Sequence, residues 1–113
     1  MTKEEEDKVM SYHKECLEES KVDEALALQA KNGKYVDDAK LKKHLFCVNK
    51  KIGFQNEAGD LQIDFIKSKI NAIIKDDGLT NEVVNKCNIK KDTPEDTAFE
   101  TLKCFHQFAP QEK

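Results

Sequence analysis

The chain lacks most of the features by which large classes of protein are recognised. Its 113 residues include no tryptophan, only four glycines and two prolines, and no apolar run approaches the roughly 20 residues that cross a bilayer. No nucleophile elbow, metalloprotease helix or phosphate-binding loop is present. The sequence therefore predicts neither a membrane span nor an enzyme, and it indicates no cofactor.

An excess of basic charge is also missing. The 22 acidic and 19 basic residues are interspersed and give a formal net charge of -3. Nucleic acid is therefore not an expected partner, because its phosphate backbone is bound by clustered basic residues. The N-terminal residues 1–7 are acidic and lack the apolar core of a secretory signal. The sequence is that of a cytosolic protein or of the mature form of a secreted one, and the cysteines favour secretion.

Apolar residues recur at helical spacing along the whole chain, and no useful length of strand-like alternation occurs. We predict one all-α domain over residues 1–113. It contains six helices, and the last is closed by Pro110. The first helix begins at Thr2 and runs to about Ser20, the second lies between Asp23 and Gly33, and the third lies between Asp37 or Asp38 and Gly53. The fourth begins at Asp60 and ends at residues 76–78, the fifth begins at Thr80, and the sixth begins at Thr93 followed by Pro94.

The cysteines stand at positions 16, 47, 87 and 104, and each lies on a segment with a helical apolar stripe. The natural disulfide pairing joins Cys16 to Cys47 and Cys87 to Cys104, because both bridges then link neighbouring helices of one bundle. The other two connectivities that four cysteines allow stay open. In the loop-entropy model each bridge would contribute about 3 to 4 kcal/mol.

A zinc site is the sharper alternative for half of these cysteines. His13 and Cys16 form one His-x-x-Cys turn, and His44 and Cys47 form another. Two such turns facing each other would make a Cys2His2 tetrahedron. The alternative hypothesis is thus a helical interaction module with structural zinc or free thiols and no small-molecule ligand, although Cys87 and Cys104 would have no part in such a metal site.

The cysteine spacing resembles that of the insect odorant- and pheromone-binding proteins, in the subclass with four cysteines. The full family pattern has two further cysteines. One stands four residues before the position of Cys47 and the other nine residues before the position of Cys104, where this chain has Lys43 and Glu95. The bridge that joins the third and fifth helices in most members is therefore absent. Residues 47–54 (CVNKKIGF), 56–61 (NEAGDL) and 104–107 (CFHQ) also resemble the family.

The resemblance implies a compact six-helix bundle around an internal apolar cavity, with two disulfides. It further implies a secreted carrier, of sensillar lymph or haemolymph, that reversibly binds odorant, pheromone or lipid-like ligands as a monomer or weak homodimer. Candidate lining residues share a place on the inward stripes of several helices, although for any single one of them ordinary core is the commoner role. They are Tyr12, Leu41, Leu45, Ile63, Ile66, Ile70, Ile73, Val84, Phe99, Leu102 and Phe105.

The segment after Cys104 is too short and polar to enter the cavity as an extra helix on acidification, which is how some family members release their ligand. We expect release by opening of the bundle instead. Because the third bridge is absent, the third helix should separate from the fifth more easily than in six-cysteine members, and the pocket should be more adaptable.

Overall fold

Helices account for most of the computed structural model, which describes residues 3–108. Their bounds are Lys3–Ser20 (α1), Glu24–Lys31 (α2), Ala39–Ile52 (α3), Ile63–Ile74 (α4), Asp77–Lys86 (α5) and Pro94–Phe108 (α6). The strand structure within residues 3–108 is one isolated bridge between Gln55 and Leu61. The predicted all-α class with six helices is confirmed. No helix in this part of the chain is long and apolar enough to cross a membrane.

Several predicted helix boundaries follow from their capping residues. The Asp23 carboxylate accepts a hydrogen bond from the backbone N–H of Ala25 at 2.9 Å, and the Asp38 carboxylate accepts one from Leu41 at 2.9 Å. Each satisfies a backbone donor that has no partner within its own helix. Gly53 ends α3 in the left-handed conformation, with φ 95°. Thr2 and Pro110, named as boundary signals for the first and last helices, lie outside the described residues.

The predicted boundaries of α4 and α5 are wrong. Helix α4 starts at Ile63 rather than at Asp60, and α5 starts at Asp77 with Asp76 as its N-cap, not at Thr80. The early end of α4 and the early start of α5 are caused by Lys75, which takes the left-handed conformation (φ 59°) and ends α4 before residues 76–78, where the end was expected. The chain therefore leaves α4 before Asp76, whose carboxylate is free to accept from the Leu79 N–H at 2.9 Å.

Helix α3 packs against three other helices, α1, α2 and α6. Helices α4 and α5 are joined by two residues and pack against each other as a hairpin, whose principal contact with the other helices is made by α5 on α6. The main core cluster lies where α2, α3 and α6 meet. Its buried members are Val22, Ala27, Ala30, Leu41, Leu45, Phe46, Ala98 and Phe99.

Two disulfides connect these helices. Cys16 of α1 is bonded to Cys47 of α3, with an S–S distance of 2.09 Å, and Cys87 at the end of α5 is bonded to Cys104 of α6, with an S–S distance of 2.02 Å. This is the pairing favoured from the sequence. The second bridge lies at the junction by which the α4–α5 hairpin is attached to the rest of the fold.

The loop between α3 and α4 is held in place by a buried glutamine. Gln55 is 2 % exposed, and its side chain accepts a hydrogen bond from the Asn49 amide at 2.7 Å. The Gln55 amide donates to the carbonyl oxygens of Gly59 at 3.0 Å and Pro94 at 3.2 Å. The loop is therefore tied to both α3 and α6, which fixes the position of the neighbouring Phe54.

Candidate ligand-binding site

An apolar groove lies between α6 and the α4–α5 hairpin. Its volume is about 170 Å³, and one of its nine lining residues, His106, is polar. Ile73 and Phe108 on its rim are 54 % and 41 % exposed, so the groove is open to solvent on that side. The eight apolar lining residues are Phe54, Ile70, Ile73, Ile74, Val83, Leu102, Phe105 and Phe108.

The groove has its composition because two helices present regularly spaced apolar side chains to it. Ile70, Ile73 and Ile74 lie three and four residues apart on α4 and therefore share one face. The lining residues of α6, which include Leu102 and Phe105, follow the same three- and four-residue spacing. The hairpin thus leaves part of its isoleucine face uncovered opposite the aromatic end of α6.

His106, the polar lining residue, has both ring nitrogens engaged. Its Nε2 lies 3.2 Å from the carbonyl oxygen of Lys31, and its Nδ1 lies 2.7 Å from the Tyr35 hydroxyl. Nδ1 also lies 3.3 Å from the carbonyl oxygen of Leu102, so both ring nitrogens have hydrogen-bond partners within the protein. Burial raises the pKa of Tyr35, so that hydroxyl keeps its proton. The histidine therefore ties α6 to the end of α2 and leaves no ring nitrogen free for a ligand.

The predicted lining residues are divided between this groove and the solid part of the fold. Ile70, Ile73, Leu102 and Phe105 line the groove. The others lie elsewhere: Leu41, Leu45 and Phe99 belong to the main core cluster, Ile66 and Val84 are buried outside the groove, and Tyr12 and Ile63 are half-buried away from it.

Five lining residues were absent from the predicted set, namely Phe54, Ile74, Val83, His106 and Phe108. The sequence contained a signal for two of them, because Ile74 and Phe108 continue the apolar stripes of α4 and α6. Val83 was missed in favour of its neighbour Val84, since one residue rotates a side chain by about 100° around a helix. His106 and Phe54 are placed by contacts with distant segments, which helical periodicity does not report.

A second, charged groove lies between α3 and α6 and includes the two positions where six-cysteine members have their additional bridge. Lys43 and Glu95 both line it. Position 95 lies in α6, so a bridge here would join the third helix to the sixth, which corrects the expected pairing of the third with the fifth. Beside them, Lys42 forms 2.9 Å ion pairs with Asp37 and Asp96. These pairs raise the pKa of Lys42 and lower that of Asp96.

The histidines of the proposed zinc site are buried beside the first disulfide. The rings of His13 and His44 make an edge-to-face contact with centroids 5.1 Å apart. Cys16 and Cys47 are bonded to each other and cannot also serve as thiolate ligands, which contradicts the Cys2His2 hypothesis. The structure describes all four cysteines, and none has a free thiol.

Burial lowers the pKa of both histidines. The charge of Lys31 lowers that of His13 further, and Glu24 opposes the shift. The pKa of His44 is lowered by burial and then by His13, against a hydrogen bond from the His44 ring to the backbone of Cys16. The Nδ1 atom of His44 has no hydrogen-bond partner in the described part of the chain.

The sequence profile of the PBP/GOBP family matches residues 1–108, nearly the whole chain. The chain belongs to this family. Among its relatives, the B2 protein of Tenebrio molitor is 40 % identical over 96 residues, a match that covers 85 % of this chain and 75 % of the relative. The resemblance identified from the cysteine spacing is therefore confirmed.

Two solved structures have the same fold as this chain. The fatty acid binding protein OBP56a from the oral disk of the blowfly Phormia regina superposes with a TM-score of 0.75, at 28 % identity and over 95 % of this chain and 93 % of that one. The THP12 carrier protein of the yellow mealworm superposes with a TM-score of 0.66, at 38 % identity and over 80 % of this chain and 84 % of that one. Membership of the family and these neighbours support a small-ligand carrier.

Proposed function

We propose that this protein is a secreted carrier, without catalytic activity, that reversibly binds one small hydrophobic molecule in the groove between α6 and the α4–α5 hairpin. The observation that carries the proposal is the lining of that groove, in which eight of nine residues are apolar. Binding sites for small molecules are concave and mostly apolar. The family's odorant-binding members and the THP12 carrier support the same function.

The size of the groove limits the ligand. A volume of about 170 Å³ is close to that of an apolar cavity of about 150 Å³, which holds benzene. We therefore expect ligands of about one six-membered ring, with any longer chain extending past Ile73 and Phe108 into solvent. Burial contributes about 25 cal/mol per Å² of apolar surface, less the cost of association, so we expect micromolar dissociation constants. Such weak binding permits release, and we expect the carrier to act as a monomer or weak homodimer.

A filled groove tests the proposal. Ile70→Trp should place an indole in the space the ligand needs and abolish binding of nitrobenzene, a one-ring apolar probe, to the oxidised protein. Leu79→Trp is the matched control, because Leu79 is 46 % exposed on α5 and does not line the groove. Equal probe binding by both variants would contradict the assigned site.

A second variant separates binding from folding. Phe108 lies on the rim and is 41 % exposed, so Phe108→Ala removes a groove wall without opening the core. We expect an affinity lower by about fivefold with little change in the free energy of unfolding, because part of the ligand's apolar surface would return to water. Unchanged affinity, or no saturable binding by the wild-type protein, would overturn the proposal.

A further inference from the structure

We propose that the groove selects uncharged ligands and discriminates against carboxylates of the same shape. This inference deepens the proposed function and rests on it. Fatty acids, which the blowfly relative's name gives as its ligands, have an alkyl chain that suits an apolar groove and a head group that this groove does not serve.

The groove lining offers no partner for a negative charge. No lysine or arginine is among the nine lining residues. Both ring nitrogens of His106 are engaged, Nε2 by the Lys31 carbonyl and Nδ1 by the Tyr35 hydroxyl and the Leu102 carbonyl, so the ring offers a ligand no free donor. A carboxylate drawn into the groove would lose water and gain no hydrogen bond or opposite charge, which is an expensive transfer.

A lysine and a glutamate of α5 form an ion pair beside the rim. Lys86 Nζ lies 5.5 Å from the ring centroid of Phe108, and the same amine forms a 3.2 Å ion pair with Glu82 one helical turn away. The lysine is thus neutralised locally, and its aliphatic stem covers apolar surface while the charge stays in water. A carboxylate at this rim would meet Glu82 as well as Lys86, so the pair offers little net attraction.

The groove lining suits a neutral molecule. Phe105 and Phe108 supply aromatic surface and the three α4 isoleucines supply aliphatic surface, neither of which requires a polar group on the ligand. Hydrocarbons, ethers, esters and aromatic aldehydes of about one ring would lose few hydrogen bonds to water on entry. The chemical class is therefore small, neutral and weakly polar.

Nitrobenzene and benzoate make the decisive comparison, because they have the same shape and differ in charge. Both would be titrated into the ¹⁵N-labelled, oxidised protein at pH 7.4 and their Kd values taken from amide chemical shifts. We expect benzoate to bind at least tenfold more weakly. Binding of both within threefold would overturn the selectivity and leave the carrier function standing, whereas absence of nitrobenzene binding would refute the carrier function itself.

Variants at Ile73 test the cause of the discrimination. This rim position is 54 % exposed, so it tolerates a polar side chain. Ile73→Lys should narrow the ratio between the two Kd values by about fivefold, because the amine supplies the missing opposite charge. Ile73→Gln is the uncharged control and should leave the ratio close to that of the wild-type protein. An unchanged ratio in the lysine variant would show that the lack of a cation does not cause the selectivity.

Discussion

Acidification from pH 7.5 to pH 5.5 should destabilise this protein through its buried histidine pair. His13 and His44 are 7 % and 2 % exposed and contact each other edge to face. Burial lowers the pKa of both below the ordinary value of 6.5, and each imidazolium would also face a neighbouring positive charge, that of Lys31 or of the other histidine. Glu24 and the backbone of Cys16 oppose the shift without reversing its direction.

The sign and the size of the effect follow from proton linkage. Above pH 6.5 both histidines are neutral in the folded and the unfolded chain, and stability does not depend on them. As the pH falls below 6.5 the unfolded chain takes up protons that the folded chain refuses, so stability decreases until the lowered folded pKa values are passed. One pH unit below 6.5 the loss reaches at most about 1.4 kcal/mol for each histidine, or about 2.8 kcal/mol for the pair. This is a large fraction of an ordinary domain's 5 to 15 kcal/mol.

The assay is urea unfolding of the oxidised protein at pH 7.5, 6.5 and 5.5, followed by far-ultraviolet circular dichroism. His44→Gln should reduce the pH dependence by about half, because an amide at this position can replace the Nε2 donor without titrating. Leu45→Ala is the control, because Leu45 is the residue next to His44 and is buried in the main core cluster. This variant should lose about 2 to 4 kcal/mol of unfolding free energy at every pH and keep the wild-type pH dependence.

The ion pair between Lys42 and Asp96 does not confuse this measurement. Lys42 lowers the pKa of Asp96 below its ordinary 3.8, so the stability that Asp96 contributes is present above that pH and is lost only as the pH falls further. The two windows are therefore separate. Equal free energies of unfolding at pH 7.5 and 5.5, or an undiminished pH dependence in His44→Gln, would refute the reasoning.

Four further variants have defined outcomes in urea unfolding at pH 7.5. Gly59→Ala should lower the free energy of unfolding by about 2 kcal/mol, because Gly59 has φ 91° and an added Cβ would lie 2.5 Å from the Pro94 side chain. Gly78→Ala, inside α5, should instead raise the free energy of unfolding by about 0.5 kcal/mol. Tyr35→Phe should cost about 1 kcal/mol, because it removes a 2.7 Å hydrogen bond. Lys43→Cys combined with Glu95→Cys should form a third disulfide, seen as a mass two hydrogens lower, and should add about 4 kcal/mol to the free energy of unfolding. Two persistent free thiols would contradict the placement of these positions across one groove.

The sequence was sufficient for the fold because the signals for the fold are local. Asp23, Asp38 and Thr93 each begin a helix where their capping chemistry predicts, and the cysteine spacing carries the family. The prediction failed at Lys75, where a lysine takes a left-handed conformation that favours glycine or asparagine. The packing of α4 against α5 determines this conformation, and the neighbouring residues contain no signal for it.

The lining of the groove was only partly predictable, for a physical reason. Helical periodicity identifies the inward face of a helix, but it does not tell whether the space in front of that face is filled. Leu41 and Phe99 lie on inward faces in the solid core cluster, while Ile70 and Phe105 lie on inward faces that border the groove. The difference depends on how far the α4–α5 hairpin stands from α6, which is set by long-range contacts such as the Cys87–Cys104 bridge.

Helix α6 joins these two regions. Phe99 belongs to the core cluster with α2 and α3, Leu102 packs against that cluster and also lines the groove, and Phe105 lines the groove further along the helix. A ligand in the groove therefore contacts the helix that completes the core. Because the groove requires α6 and the hairpin to be docked, a ligand that occupies it binds the folded chain and not the unfolded one, and at one hundred times its Kd it would add about 2.7 kcal/mol of stability. A molecule bound in the groove would therefore supply apolar contacts that α6 and the hairpin do not make with each other.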